Sequence, residues 1–590
     1  MTSTPARPGH AGSRFYLLAG VPFVAAFMLT PSSLYLHAGE DWAFTPYLLP
    51  RLTALGLAAY LAMAIVLRLV VLASGRAGAV LAAALFGLGL WLVLAHVYAP
   101  IAIGPLDGQA IESDEPLGLS LREAGFAVLA MIVFVQLARQ RWIAGAAGVS
   151  IALVLIATGY MAVAMTRSEP AYTELDEVAP APRAGGSVYH FVLDEMQTDA
   201  FLHLVDELDA QDDLRGFQLF RNNISNYRTT HTSSASYFTG TLFRQGGFGG
   251  WREKWKEQGL FSSLQAAGYR TWMYAPYEKW REALVDHFWY MRDVYEHETG
   301  TADSDFGDFA PVWLLSLVPN ALTNEAVPAA QDWGEALARL FTGGEQPLTV
   351  PNGLNQVASV MVLEQALRHE ELRSGAGEYV YVHAILPHGP FVVDRTCDQI
   401  DPKVRERRRA EREGPFDRDA YLAQGACAVR LIGAFLDRLR ELGRYDSSTI
   451  VIHADTGFGR GLLEPAARVD EADVLGYPPQ RLVSMVNALL MIKPPDAAGR
   501  LEVVDRPTQL IDLYPTLVDL LELPPPPYQV DGRSIFGPDR QEMIFAIDPE
   551  VRSGSNLVEV RVEQPEDLET SAFTVLGPPR RDTADQEAAR

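Results

Sequence analysis

The sequence predicts an α-helical transmembrane bundle of five spans followed by an α/β domain with a largely parallel sheet. Three observations carry this prediction. Apolar runs of spanning length fill the chain up to about Thr166, strand-like and helix-like segments alternate beyond it, and several strand-like runs stop abruptly at an acid or a histidine. A net charge of −24 excludes a non-specific nucleic-acid binder, which needs a basic face. Two cysteines exclude a disulfide-rich scaffold and a four-cysteine zinc site, leaving room for one bridge.

The spans are read as Phe15–Leu36, Leu52–Val71, Ala77–Tyr98, Leu119–Ala138 and Ile143–Met165. Each reaches the roughly 20 residues that a bilayer core demands. Arg7, Arg14, Arg76, Arg139 and Arg141 fall on one side of these spans. Glu40, Asp41, Asp107, Glu112, Asp114 and Glu115 fall on the other. Under the positive-inside rule the N-terminus is cytoplasmic. Everything after Thr166 then emerges on the far face of a bacterial-type inner membrane, in the periplasm or outside the cell. The spans show no intramembrane charge pair or broken-helix repeat of the kind transporters use, so they read as an anchor. The organisation expected is residues 1–166 as the transmembrane domain, 167–186 as a linker, 187–560 as the extracytoplasmic domain and 561–590 as a charged tail.

In the outer half, Val188–Leu193 is a short apolar run ending in Asp194-Glu195, which reads as a buried strand feeding a helix. Phe261–Ala267 reads as helix, Gly268 as its cap and Tyr269–Tyr274 as strand. Val357–Leu372 is helical in period and Tyr379–Leu386 strand-like, and Leu431–Leu442 followed by Thr449–Ala454 repeats the pattern. Ligands on parallel sheets sit at the carboxyl ends of the strands, where Asp194, His388 and Asp455 fall.

Each of these residues has a plain alternative. A single acid at a strand end is commonly a cap or turn residue, and a lone histidine commonly structural. Two acids with a hydroxyl-rich segment between them, Asn226 to Gly240, suggest a cation site beside a nucleophile. An alcohol is a poor nucleophile at its own pKa, and a metal can activate it. His388, held in Pro387-His388-Gly389-Pro390, suits a phosphate or sulfate ligand.

These segments together resemble the alkaline phosphatase superfamily in its sulfatase-like branch. Phe191-Val192-Leu193-Asp194-Glu195 is similar to the opening strand and its metal-binding acid. Thr230 stands nine residues before Thr239-Gly240, where the family places its nucleophile, with Thr232 as the alternative. His388 resembles the histidine of the Pro-His-x-Pro motif. Val451 to Gly457 resembles the segment that ends Asp-His-Gly or Asp-Asn-Gly. Ile511 to Leu517 and Asp531-Gly532-Arg533-Ser534 resemble the C-terminal signature. Five spans before an outer domain narrow the likeness to the phosphoethanolamine transferases and the lipoteichoic acid synthase group. That likeness implies transfer or hydrolysis of a phosphate (or sulfate) ester on envelope glycan or phospholipid head groups, through a phospho-threonine and a divalent metal. The partners it implies are membrane lipid and the glycan or head-group substrate, with no nucleic acid. Cys397 and Cys427 lack the Cys-x-Pro-x-Arg setting of ordinary sulfatases, which excludes their modified-cysteine chemistry. In an oxidising compartment the two cysteines are expected to form a disulfide, the alternative being two buried thiols.

The chain departs from the family at Thr456, where a histidine or asparagine is usual, and no histidine follows His453. The metal set read from the sequence is therefore Asp194, Asp455 and Thr230, with Glu195 and Thr456 as further oxygen donors. One divalent cation among Mn, Mg, Ca and Zn is expected, a hard one favoured. The alternative function is a sulfatase-fold protein without turnover, acting as a binding or regulatory module.

Overall fold

The computed structural model describes residues 9–37, 48–100, 117–139, 141–166, 172, 174–175, 181–183, 185–244, 247–300, 306–342, 354–411, 417–459, 473–538, 542–547, 557–568 and 570–579. The chain forms two compact units: Met1–Ala171 with Gly300–Asn352, and Tyr172–Thr299 with Gly353–Arg590. Much of the 167–186 linker lies outside the described residues.

The first unit holds five helices long and apolar enough to cross a membrane: Arg14–Leu36, Leu48–Ala73, Gly75–Tyr98, Gly118–Ala138 and Ile143–Ala164. Small residues let them approach closely. A Cβ on Gly56 would meet Phe27 Cβ at 2.4 Å, and one on Gly89 would meet the Pro22 nitrogen at 2.6 Å. The first span carries Pro22 and a π-helical turn at Ala25–Leu29.

The same unit takes in two helices from well beyond Thr166 in sequence, Phe306–Leu315 and Thr323–Thr342. This corrects the continuous 187–560 domain read from the sequence. Phe306–Leu315 has 10 residues, too short to register as a span, yet it is among the most apolar stretches after Thr166. Phe306, Phe309, Ala310, Val312 and Trp313 share one buried cluster with Tyr35, Leu48, Leu49, Leu52 and Ala164.

The second unit is built on an eight-stranded sheet. Its strands in chain order are β1 Val188–Leu193, β2 Gln218–Phe220, β3 Arg270–Ala275, β4 His287–Tyr290, β5 Glu378–Ala384, β6 Thr449–His453, β7 Leu490–Lys493 and β8 Glu502–Val504. They lie side by side as β4–β3–β5–β1–β6–β7–β2–β8. The pairs from β4 to β6 are all parallel, and β7 runs antiparallel to both neighbours. Every residue of β1, β5 and β6 is buried, which is why each appears as a mostly apolar run rather than an alternating one. Helices flank the sheet, among them Leu354–Arg368 and Arg418–Glu441. The latter is started by Asp417, whose Oδ1 accepts from the Ala420 N–H at 3.0 Å.

A three-stranded antiparallel sheet follows: β9 Met543–Ile547, β10 Val558–Val562 and β11 Phe573–Gly577. It corrects the tail read from 561 onward. β11 is an edge strand with no fully buried residue, so its composition is that of a surface segment.

Candidate active site

The central strands β5, β1 and β6 lie adjacent and parallel, and their carboxyl ends bring the chemistry together. Asp194 directly follows β1, and its N–H still donates to the Ala384 carbonyl at 3.0 Å, extending the ladder to the sheet edge. The chain then turns sharply through Glu195, a non-glycine residue at φ 59°. Such backbone strain is tolerated where surrounding contacts over-determine the conformation. Here the Glu195 N–H donates to Asp455 Oδ1 at 3.4 Å and the Tyr421 hydroxyl donates to the Glu195 carbonyl at 2.8 Å. Asp455 follows β6, and its Oδ1 also accepts from the Thr456 N–H at 2.9 Å.

The structure adds a residue that the sequence reading left out. His383, on β5 opposite Val192 of β1, places Nε2 3.3 Å from Asp194 Oδ2. Ligand-capable atoms of Asp194, His383 and Asp455 all lie within 4.8 Å of one another, and all three residues are buried. Asp194 Oδ1 and Asp455 Oδ2 are buried with no hydrogen-bond partner. Two orphaned carboxylate oxygens beside an imidazole are costly unless a cation sits among them. The donor set fits a divalent cation.

Burial, followed by the negative charge of Asp194, pushes the Asp455 carboxyl up to about 6. His383 and the Thr230 hydroxyl oppose that shift. Burial also acts to raise Asp194, but His388 and His383 outweigh it and the net shift is downward. One carboxyl of the pair thus stays readily ionised while the other holds its proton toward neutrality.

Thr230 opens the Thr230–Thr239 helix, which Gly240 closes in the left-handed region at φ 67°. First-turn N–H groups lack helical acceptors and carry the positive end of the helix dipole, so a hydroxyl there faces a place suited to an anion. Ser233 pins the helix by donating to the Asp455 carbonyl at 2.5 Å. Thr232 is turned inward: its Oγ1 lies 2.7 Å from Thr229 Oγ1 and donates to the Thr229 carbonyl at 2.9 Å.

His388 is fixed by its backbone. Its N–H donates to the Asp194 carbonyl at 3.2 Å, and its carbonyl accepts from Gln424 Nε2 at 2.7 Å. Its Nδ1 donates to the Gly389 carbonyl at 2.6 Å, leaving Nε2 3.8 Å from Glu195 Oε1. Glu195 therefore extends toward His388. Thr456 is buried next to Asp455. Cys397 and Cys427, 30 positions apart, are joined by a disulfide with Cα atoms 5.0 Å apart.

A chain of hydroxyls stands behind His383. Its Nδ1 is 3.2 Å from the Tyr381 hydroxyl, which is 2.9 Å from that of Tyr237, itself 3.0 Å from Ser234 Oγ. The other buried histidines of this sheet have a different setting. His190 and His453 bond each other through their Nε2 atoms at 2.7 Å, and burial lowers both pKa values, that of His453 to about 3. They are neutral core residues.

A family model described as Sulfatase matches residues 203–523. No curated protein matches the sequence. Among solved structures the chain is similar to the phosphonate monoester hydrolase SpPMH from Silicibacter pomeroyi, at 17% identity, 68% coverage of this chain, 92% of that chain and a TM-score of 0.40. It is also similar to the phosphonate monoester hydrolase of Agrobacterium radiobacter, at 13% identity, 66% and 89% coverage and a TM-score of 0.38. A third is the C-terminal periplasmic domain of EcEptC from Escherichia coli, at 12% identity, 64% and 94% coverage and a TM-score of 0.37. With the Sulfatase match running over more than half of its 590 residues, the chain belongs to the sulfatase family.

Proposed function

We propose that the outer half is a metal-dependent transferase or hydrolase of phosphate (or sulfate) esters on envelope glycan or lipid head groups, with Thr230 as its nucleophile. The observation that carries this reading is a buried pair of carboxylates with two unpartnered oxygens, beside the N-terminus of the Thr230–Thr239 helix that Ser233 ties to Asp455. Asp194, Asp455 and His383 are the residues that would hold the cation. His383 supplies from β5 the nitrogen that Thr456 cannot. When bound, a divalent cation adds positive charge beside the transferring group and lowers the pKa of a neighbouring hydroxyl.

The rest is done by the chain. Thr230 Oγ attacks the phosphorus or sulfur, its bond to that atom forms as the ester bond breaks, and the departing alcohol carries away a proton. The free N–H groups at the start of the Thr230–Thr239 helix favour the negative oxygens of the group in transfer. His388, locked by Gln424 and by the Asp194 carbonyl, has Nδ1 committed to the Gly389 carbonyl, so it would donate to the same oxygens from Nε2 in its protonated form. Thr232 is committed to Thr229, which favours Thr230 for the nucleophile.

Arginine asymmetry across the five spans supports an N-terminus in the cytoplasm and an outer half in the periplasm. The disulfide is consistent with an oxidising compartment.

The test is mass spectrometry of the Thr230 peptide after the full-length protein, in detergent with Mn²⁺ or Zn²⁺, meets a phosphoethanolamine lipid, p-nitrophenyl phosphate or p-nitrophenyl sulfate. A phospho- or sulfo-adduct on Thr230, absent from Thr230→Ala, is expected. Absence of both adduct and turnover under every combination would replace the enzyme with a binding module that keeps the fold.

A further inference from the structure

The segment 306–342 interrupts the outer half in sequence but belongs to the unit of the five spans. Its seating is specific. Trp313 Nε1 donates to the Ala26 carbonyl at 2.7 Å, inside the π-helical turn of the first span, where the normal helical ladder is disturbed. Ala26 lies ten residues before Leu36, the end of that span, a depth of about 15 Å at 1.5 Å per residue, or half of a bilayer core. The Phe306–Leu315 helix therefore dips among the spans, with Phe306, Phe309, Ala310, Val312 and Trp313 buried as a re-entrant segment requires.

The Thr323–Thr342 helix is tied differently. Just before it, the Asn320 N–H donates to Glu123 Oε2 at 2.8 Å and Asn320 Nδ2 to the Ala99 carbonyl at 3.1 Å. At its far end Arg51 donates to the Phe341 carbonyl. Ala99 directly follows the third span, Glu123 is in the second turn of the fourth, and Arg51 is in the first turn of the second. These are the span ends on the face opposite the N-terminus. A helix held at both ends at that one level lies along the plane of the span ends, where a bilayer has its headgroup boundary.

The helix carries two apolar faces. One packs on the re-entrant helix, so closely that a Cβ on Gly334 would meet Pro311 Cδ at 2.6 Å. The other is open: Ala329, Trp333, Ala336 and Leu340 are all exposed, Trp333 at 69% and Leu340 at 68%. At about 100° per residue these four fall within about 60° of arc. Arg339 and Asp332 flank them on the side away from the packed face. Ile65, on the membrane-facing side of the second span, is exposed to a similar degree at 63%. A stripe of this kind, with a tryptophan at its centre, suits the boundary between acyl chains and head groups.

We propose that residues 306–342 are a second membrane anchor lying within the outer half: a re-entrant helix seated in the bundle and an interfacial helix whose Ala329–Trp333–Ala336–Leu340 stripe contacts lipid. The proposal rests on the membrane reading of the five spans. Because the helix has Glu325, Asp332 and Glu335 against Arg339, contact is apolar and independent of anionic lipid.

The experiment places single cysteines, labelled with an environment-sensitive fluorophore, on the full-length protein in phosphatidylcholine nanodiscs, the native cysteines being held in their disulfide. Trp333→Cys and Leu340→Cys report the stripe, Arg339→Cys the polar flank and Ile65→Cys the second span. Expected are quenching of the 333 and 340 probes by spin-labelled lipid with several-fold protection from aqueous iodide, the reverse at 339, and no change on adding phosphatidylglycerol. Lipid quenching at 65 but free iodide access at 333 and 340 overturns the second anchor alone. Iodide access at 65 as well overturns the membrane reading and the anchor with it.

Discussion

His383 Nε2 lies 3.3 Å from Asp194 Oδ2, across the β5–β1 pair of parallel strands. With Asp455 on the far side of β1, this contact turns a pair of buried acids into a three-donor set. If that set holds the cation, His383→Ala should lower affinity for Mn²⁺ or Zn²⁺ by about a hundredfold or more. Chelator competition on the purified protein reads this directly. Thr456→His should raise zinc affinity, and in the His383→Ala background should restore part of what was lost.

Tyr381 should matter without touching the cation. For Nε2 of His383 to face Asp194 with a lone pair, Nδ1 must carry the proton and donate to the Tyr381 hydroxyl, 3.2 Å away. Tyr381→Phe leaves the ring packing intact and removes that acceptor. Metal affinity should fall about 10–100-fold with little change in melting temperature. An unchanged affinity would show that the tautomer is set elsewhere.

Asp455→Asn should stabilise the metal-free protein at neutral pH. The folded carboxyl is raised to about 6, above its unfolded value, so its contribution is fully present below the unfolded pKa and is lost as pH rises through about 6. Asparagine removes that loss and still accepts the Thr456 and Glu195 N–H groups. In chelator, a gain of about 1–3 kcal/mol is expected at pH 7.5, vanishing near pH 4. The variant should bind no metal. Thermal unfolding at the two pH values checks the sign.

Exchanging both Cys397 and Cys427 for alanine should cost about 3.5 kcal/mol in the chain-entropy picture for a loop of this length. Denaturant midpoints under non-reducing conditions measure it, and a change below about 0.5 kcal/mol would show that the reduced loop is already constrained.

The structure also shows where a single sequence carries information. Asp194 and Asp455 stand out because each ends an apolar run that no surface strand would tolerate. Thr230 stands out only by its position in a hydroxyl-rich segment, and its distinction from Thr232 comes from which way each hydroxyl is turned. His383 was hidden. It lies inside a fully buried strand, as His190 and His453 do, and those two are core residues. What separates it is its Nε2, 3.3 Å from Asp194 Oδ2, where the Nε2 atoms of His190 and His453 meet only each other. The 306–342 insertion was hidden for a different reason. Its apolar helix is too short to span, and its partners, Ala26, Ala99 and Glu123, lie some 200 positions or more earlier in sequence.

The measurement that bears most directly on the site is elemental analysis of the full-length protein, purified without chelator, beside His383→Ala and Thr230→Ala. The account predicts close to one divalent cation per chain in the unaltered protein, a loss of most of it in His383→Ala, and retention in Thr230→Ala together with a fall in turnover on the order of a thousandfold or more. A metal-free protein that cannot be loaded, or a His383→Ala variant that keeps its cation, would contradict it.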